Sequence, residues 1–136
     1  MSTRSYIGIK LPSGRVKAIY CHFDGYIVNG VGEMFLNHYK DEQAVQDLIA
    51  LGSLRSLYDS LTSTVAYHRD REDPWDKCTP GHWESQTEYL TLGRSVDYLY
   101  LFDPSTETWS VSVGADDFKD LEDAYNDLVE SDSNWL

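Results

Sequence analysis

The sequence predicts an α+β domain with an antiparallel sheet built from two β-hairpins and with helices packed on one face. Two turn signals, Pro12-Ser13-Gly14 and Asp103-Pro104-Ser105, each separate two runs of strand-forming residues. Segments between and after the hairpins instead carry apolar residues at helical spacing. The length of 136 residues suits one domain that buries roughly two-thirds of its unfolded surface. We therefore expect residues 1–136 to form a single globular domain.

The first hairpin is predicted by alternating apolar residues on both sides of the first turn signal. Residues 6–11 precede the turn, and Val16, Ala18 and Tyr20 follow it at every second position. Strands with one buried face have this period of two. The hairpin should therefore form one part of the sheet.

Two short helices are predicted after the first hairpin. The break at Asn29-Gly30 precedes an amphipathic pattern that begins at Val31. Asp41 is in position to accept a hydrogen bond from the first turn of a second helix, and Gly52 is in position to end that helix. Further along, Leu54 to Leu61 suggest another helical turn, while the charged, proline-containing stretch 69–81 suggests a surface loop.

The second hairpin and a final helix complete the predicted domain. An apolar run over 96–102 leads into the second turn signal, and alternation over 109–113 predicts the return strand. Asp116 or Asp117 would then cap the last helix. We expect this helix to pack on the sheet through Phe118, Leu121, Tyr125 and Leu128.

The last helix is predicted to carry an acidic stripe. Its members recur at spacings of four, three, four and three, so they cluster within about 40° of one line along the helix. Like charges at these spacings cost roughly 0.2–0.5 kcal/mol per pair, which favours a functional explanation. The members of the stripe are Asp116, Asp120, Asp123, Asp127 and Glu130.

Such a stripe predicts either an electrostatic mimic of nucleic acid or a solvated surface that aids solubility. Its carboxylates would repeat every ~4.5–6 Å, which is comparable to the phosphate spacing along one strand. A protein that grips nucleic acid could therefore be occupied by this surface. Four further acids are expected to contribute to partner binding: Asp70, Glu72, Asp73 and Asp76.

The net charge of −12 is distributed unevenly along the chain. Residues 1–20 carry four basic side chains and no acid, whereas 116–136 carry eight acids and one lysine. The overall field repels nucleic acid and anionic membranes and attracts basic protein surfaces. We therefore expect a basic protein partner, no direct binding of nucleic acid and no membrane association, with a homodimer as a further possibility.

A second candidate site combines aromatic rings with hydrogen-bond donors near the first hairpin and the first helix. Nucleotides suit such surroundings, because bases stack on rings while arginine binds phosphate. The alternative is that these residues are ordinary rim and core of an aromatic-rich sheet. The residues of this predicted ligand site are Arg4, His22, Phe23, Tyr26 and His38.

The two cysteines do not predict a disulfide scaffold, a metal site or a nucleophile. Cys21 and His22 are adjacent, so on a strand they would point to opposite faces and could not easily share one metal. No glycine-framed nucleophile motif accompanies Cys21 or Cys78. We expect free thiols and no cofactor. The absence of an apolar run long enough for a membrane span or a signal peptide predicts a cytoplasmic protein.

The segment Ser2-Thr3-Arg4-Ser5-Tyr6-Ile7-Gly8-Ile9, followed by residues 19–26 and Gly30-Val31-Gly32, resembles a group of small proteins encoded by bacteriophages and prophages. The resemblance covers about the first half of the chain. It implies a mobile genetic element in a bacterial host cytoplasm, and it transfers no catalytic residue.

With the acidic stripe, the resemblance suggests an inhibitor that binds a host nucleic-acid-handling defence complex stoichiometrically, of the anti-CRISPR or anti-restriction type. One alternative is a protein that sequesters a cyclic-nucleotide or ADP-ribose-type defence signal. A small hydrolase is the third possibility.

Overall fold

A mixed sheet of eight strands organises the part of the chain that the computed structural model describes, residues 2–133. The strands are β1 (Ser5–Lys10), β2 (Val16–Cys21), β3 (Leu54–Ser56), β4 (Val65–Ala66), β5 (Gly81–Trp83), β6 (Tyr98–Asp103), β7 (Thr108–Val113) and β8 (Lys119–Asp120). The helices are α1 (Val31–His38), α2 (Glu42–Ile49), α3 (Tyr67–Arg71), α4 (Trp75–Cys78), α5 (Gln86–Leu90) and α6 (Leu121–Ser133), with a 3₁₀ turn over Thr91–Arg94. The α+β class is confirmed.

Both predicted hairpins form, but the sheet that joins them is not purely antiparallel. The strand order is β4-β3-β2-β1-β6-β7-β8, with β5 beside the beginning of β2. β1 pairs in parallel with β6, and β2 pairs in parallel with β3. The expectation of an antiparallel sheet was therefore wrong at these two junctions. In each case a long connection with helices returns the chain to the end of the sheet from which it left, as parallel pairing requires.

The main core lies between the sheet and the helices α1, α2 and α6. Phe35 of α1 stacks on Trp109 of β7 with ring centroids 4.1 Å apart, and both rings are buried. The Trp109 indole N–H donates to the Tyr39 carbonyl at 2.8 Å, so burial of the indole leaves no donor unpaired. Asp41 caps α2 as predicted, because its carboxylate accepts from the Ala44 amide at 2.8 Å.

A second, smaller core occupies the other face of the sheet, where no helix was expected. There Tyr89 of α5 is completely buried against Gly8 of β1, and its hydroxyl donates to the Tyr100 carbonyl at 2.9 Å. A Cβ at Gly8 would lie only 3.0 Å from the Tyr89 hydroxyl oxygen, so glycine permits this close approach. Helical segments therefore cover part of both faces.

The last helix begins at Leu121 rather than near Asp116. Gly114 and Ala115 have φ values of +61° and +69°, and the turn they make leads into β8 beside β7. Asp120 then provides the helix cap, because its carboxylate accepts from the Asp123 amide at 3.1 Å. The start was mispredicted because acids at helical spacing continue upstream through this turn.

Two of the residues predicted to pack α6 on the sheet do not do so. Phe118 precedes the helix and lies on the other face, stacked with Tyr89 at 6.1 Å between ring centroids. Leu121 is completely buried and Tyr125 is partly buried, whereas Leu128 is 44 % exposed. The helix therefore leaves the core toward its C-terminal end.

The segment after Gly52 also differs from its prediction. The leucines at 54–61 were expected to form a helical turn, but Leu54 lies in β3, fully buried and paired with β2 and β4. Tertiary burial decides the conformation of such a short segment. The charged stretch 69–81 lies largely at the surface, as expected, but it includes α4 and the end of α3.

Leu121→Ala and Leu128→Ala apply the same truncation to a buried and an exposed position of α6. We expect Leu121→Ala to lower the free energy of unfolding by about 2–5 kcal/mol, because a cavity replaces packed atoms. Leu128→Ala should cost less than about 1 kcal/mol. Urea unfolding followed by circular dichroism measures both values. Equal losses would contradict the observed placement of α6.

Candidate functional site

The acidic face of α6, which we define as Asp123, Asp127 and Glu130, is the part of the predicted stripe that the helix retains. The three side chains are exposed and lie within about 60° of one another around the helix axis. Within residues 2–133, no lysine or arginine lies within ion-pair distance of them. This face therefore presents uncompensated negative charge to solvent.

The other two members of the predicted stripe lie outside the helix. Asp116 lies in the turn after β7, and its carbonyl accepts a hydrogen bond from the Ser112 hydroxyl at 2.5 Å. Asp120 lies in β8 and caps α6. The expectation of five acids on one helix was therefore wrong, because the backbone turns at Gly114 and Ala115 before the helix begins.

The four further acids predicted for partner binding do not extend the acidic face of α6. They lie in and between α3 and α4, which follow β4 at one edge of the sheet, whereas α6 follows β8 at the other edge. Asp70 is also engaged locally: it pairs with Arg69 at 2.9 Å and accepts from the Ala66 amide at 2.8 Å. The Arg69 hydrogen bond, helped by the Ala66 amide, lowers the pKa of the Asp70 carboxyl. The four acids are Asp70, Glu72, Asp73 and Asp76.

A cleft of about 480 Å³ adjoins the acidic face of α6. It lies between α1, β7 and α6, and Glu122 and Asn126 of α6 form part of its wall. Glu107 and Asp120 add two more carboxylates, against Lys40 as the cation in the lining. The cleft therefore offers acidic groups and amide groups to a basic side chain.

Three of the five residues predicted for the ligand site come together at the ends of β1 and β2. The His22 ring contacts the Phe23 ring, with centroids 4.5 Å apart. Arg4 lies close enough to Tyr20 that its positive charge tends to lower the pKa of the Tyr20 phenol, against the larger effect of burial. Tyr26 and His38 are not part of this group. Tyr26 lies in the following loop, near Tyr98, where it contributes to raising the pKa of the Tyr98 phenol. His38 is exposed at the end of α1.

The structure adds three residues to this group that the sequence did not single out as ligand-binding. Tyr20 contacts His22 through a hydrogen bond of 2.7 Å between the phenol oxygen and Nδ1. Arg55 of β3 places its guanidinium 5.5 Å from the centre of the Phe23 ring, and Tyr67 follows β4. Arg55 lies between the buried residues Leu54 and Ser56, which is strand-like alternation, but three residues are too few to predict a strand. We call this group the arginine and aromatic surface: Arg4, Tyr20, His22, Phe23, Arg55 and Tyr67.

Neither cysteine is placed for nucleophilic chemistry. Cys21 is completely buried, and burial raises the pKa of its thiol from 9.0 to about 12. Burial also raises the pKa of the Cys78 thiol, with smaller contributions from Asp73 and Asp76. Both thiols are therefore protonated near neutral pH, whereas the thiolate is the reactive form. In residues 2–133, no group of three or more potential ligands is placed to hold a metal ion.

Comparisons with protein-family models, with curated proteins and with solved structures each find no match to this chain. Among the described helices, none combines the length and apolar character that crossing a membrane requires.

The burial of Cys21 predicts a pH dependence of stability. The unfolded state loses the thiol proton near pH 9, whereas the folded state keeps it until about pH 12, so unfolding becomes easier above pH 9. Between pH 8 and pH 10 the wild type should lose roughly 1 kcal/mol more stability than Cys21→Ala. Chemical denaturation of both proteins at the two pH values measures this difference. Parallel losses would contradict a buried, protonated Cys21.

Proposed function

We propose that this protein acts stoichiometrically, by binding a basic surface of a host nucleic-acid-handling defence complex through the acidic face of α6. The observation that carries this proposal is the uncompensated charge of Asp123, Asp127 and Glu130 on an exposed helix surface. Proteins that grip nucleic acid present arginines and lysines to phosphates. A row of carboxylates offers those same side chains an alternative partner.

The spacing of the three acids supports a mimic of a phosphate backbone. Intervals of four and three residues correspond to ~6 and ~4.5 Å along the helix axis, the same order as the ~3.4 Å axial rise between successive phosphates on one strand. The net charge of −12 adds long-range attraction toward a basic partner and speeds encounter. Because the observed helix carries three acids of the stripe, the mimicked segment is short, equivalent to about three phosphates.

The adjoining cleft would complete the interface. The cleft beside Glu122 can receive a lysine or arginine side chain of the partner, since three carboxylates line it. Leu128 is 44 % exposed, but at 100° per residue it lies on the side of α6 away from the three acids, so the contact offered beside the acidic face is polar. The resemblance of the first half of the chain to phage-encoded proteins supports a host defence complex as the partner.

Neutralising the acidic face tests the proposal. We expect the triple variant Asp123→Asn, Asp127→Asn and Glu130→Gln to lose at least about tenfold in inhibitory potency, since exposed charge pairs across an interface would be removed. The matched control Glu42→Gln, Asp47→Asn and Asp59→Asn removes the same charge from exposed positions elsewhere. The measurement is the transformation efficiency of a targeted plasmid in cells that carry a CRISPR or restriction system and express each variant.

The expected result is that wild type and control protect the plasmid whereas the α6 variant does not. All three proteins should unfold within a few degrees of one another, because every exchange is at an exposed site. Equal protection by the wild type and the α6 variant would show that the acidic face of α6 is not required for inhibition. Absence of protection by the wild type across the systems tested would count against a defence complex as partner.

A further inference from the structure

The second face of the sheet is covered along only part of its width. Tyr89 and the 3₁₀ turn cover the centre, and this cover ends at Tyr6 and Tyr20, which are only partly buried. Beyond them, His22, which follows β2, and the side chains of β3 and β4 that share this face lie outside the second core. A partly exposed aromatic surface therefore continues the second core toward the β4 edge.

The rings on this surface form a continuous series. Trp83 contacts Tyr6, and Tyr6 contacts Tyr20, with centroid distances of 5.9 and 5.7 Å. Tyr20 then contacts His22 at 5.9 Å, and His22 contacts Phe23 at 4.5 Å. The backbone amides of His22 and Phe23 donate to the carbonyls of Leu54 and Arg55 in β3, which fixes the backbone of both residues relative to Arg55. The surface is therefore held in place before any ligand arrives.

Three guanidinium groups border the rings without an ion-pair partner among residues 2–133. Arg4 acts on the Tyr20 phenol, and its charge offsets part of the rise that burial causes in the pKa of that phenol. Burial also raises the pKa of the Tyr67 phenol, and the charges of Arg55 and Arg71 offset part of that rise. Arg15 and Arg69, by contrast, are paired with acids. In a chain of net charge −12, this is a local concentration of available positive charge.

The acids near this surface do not neutralise the arginines. The Asp97 carboxylate accepts from the backbone amide of Arg4 at 2.9 Å, which leaves the Arg4 side chain available. Asp73 lies near Tyr67 and tends to raise the pKa of its phenol, against the effect of the two arginines. Asp24 lies near the buried Cys21 and contributes to raising the pKa of its thiol. The guanidinium groups therefore remain free to bind an anion.

We propose that the arginine and aromatic surface binds a nucleotide, with the base on the Phe23 ring, the edge of the base beside His22, whose ring is inclined 70° to that of Phe23, and the phosphates on Arg4 and Arg55. Aromatic rings stack with any base, and guanidinium groups bind phosphate in a bidentate manner. The Tyr20 hydroxyl and the His22 imidazole offer polar groups that can contact heteroatoms on the edge of a base. The ligand is a mononucleotide or dinucleotide rather than a polymer, because the overall negative charge opposes a long polyanion.

Calorimetric titration with the four common nucleoside diphosphates tests this proposal. At least one should bind saturably, and Phe23→Leu and Arg55→Gln should each weaken it at least about tenfold. Arg15→Gln is the matched control, since Arg15 pairs with Glu84 outside the surface and its loss should leave binding unchanged. Phe23→Leu keeps the apolar bulk, and thermal unfolding of each variant confirms that the fold is retained.

Three results would overturn the proposal. One is no saturable binding of any of the four diphosphates at millimolar concentrations. Another is binding of inorganic phosphate as tight as that of the diphosphate, which would show that the aromatic rings do not bind the base. The third is tighter binding of a single-stranded oligonucleotide, which would indicate a nucleic-acid site. The α6 variant with Asp123, Asp127 and Glu130 neutralised should bind the diphosphate as tightly as the wild type. The proposed nucleotide site and the proposed partner-binding face are therefore tested independently of each other.

Discussion

The parallel pairing of β1 with β6 is the constraint on which the rest of the structure depends. It joins the two hairpins through their inner strands, with Ser5 opposite Tyr98 and Ile9 opposite Phe102. These two strands lie in the centre of the sheet and bury side chains on both faces, which is typical of parallel pairs. Each face then requires its own cover. The helices α1, α2 and α6 supply one cover, and α5 with the 3₁₀ turn supplies a partial second one.

This arrangement separates the two charged surfaces. Because the chain places β3 and β4 outside β2, and β8 outside β7, the sheet ends in two different environments. The arginines Arg4, Arg55 and Arg71 gather toward the β4 side, and the acids of α6 follow β8. A chain with strong overall negative charge can therefore hold a positive region, since the two lie at opposite edges of one rigid sheet. Interactions between exposed charges are also screened over about 10 Å at moderate salt.

Local sequence signals predicted the parts of the fold whose contacts are local. The hairpin turns, the start of α1 at Val31 and the cap at Asp41 follow from residues within a few positions of each element. The parallel pairing of β1 with β6 could not be predicted in this way, because it joins residues more than ninety positions apart. The start of α6 was misplaced for a different reason. Acids at helical spacing continue upstream of the helix, but the single apolar residue among 116–120, Phe118, packs on the other face of the sheet.

The candidate sites also differ in whether their residues are close together or far apart in the sequence. Asp123, Asp127 and Glu130 share one face of a helix as predicted, because one helix holds all three, and their role in partner binding stays a prediction. Arg55 and Tyr67 were missed as companions of His22 and Phe23, because strands of two or three residues carry too little pattern to reveal a shared face.

The short outer strands at both edges of the sheet affect how the protein behaves at high concentration. β4 and β8 have two residues each, and β8 consists of the charged pair Lys119 and Asp120. An edge of this kind offers few free backbone groups to another chain, and its charges oppose a strand added from outside. Edge-to-edge growth into aggregates is therefore hindered at β4 and β8.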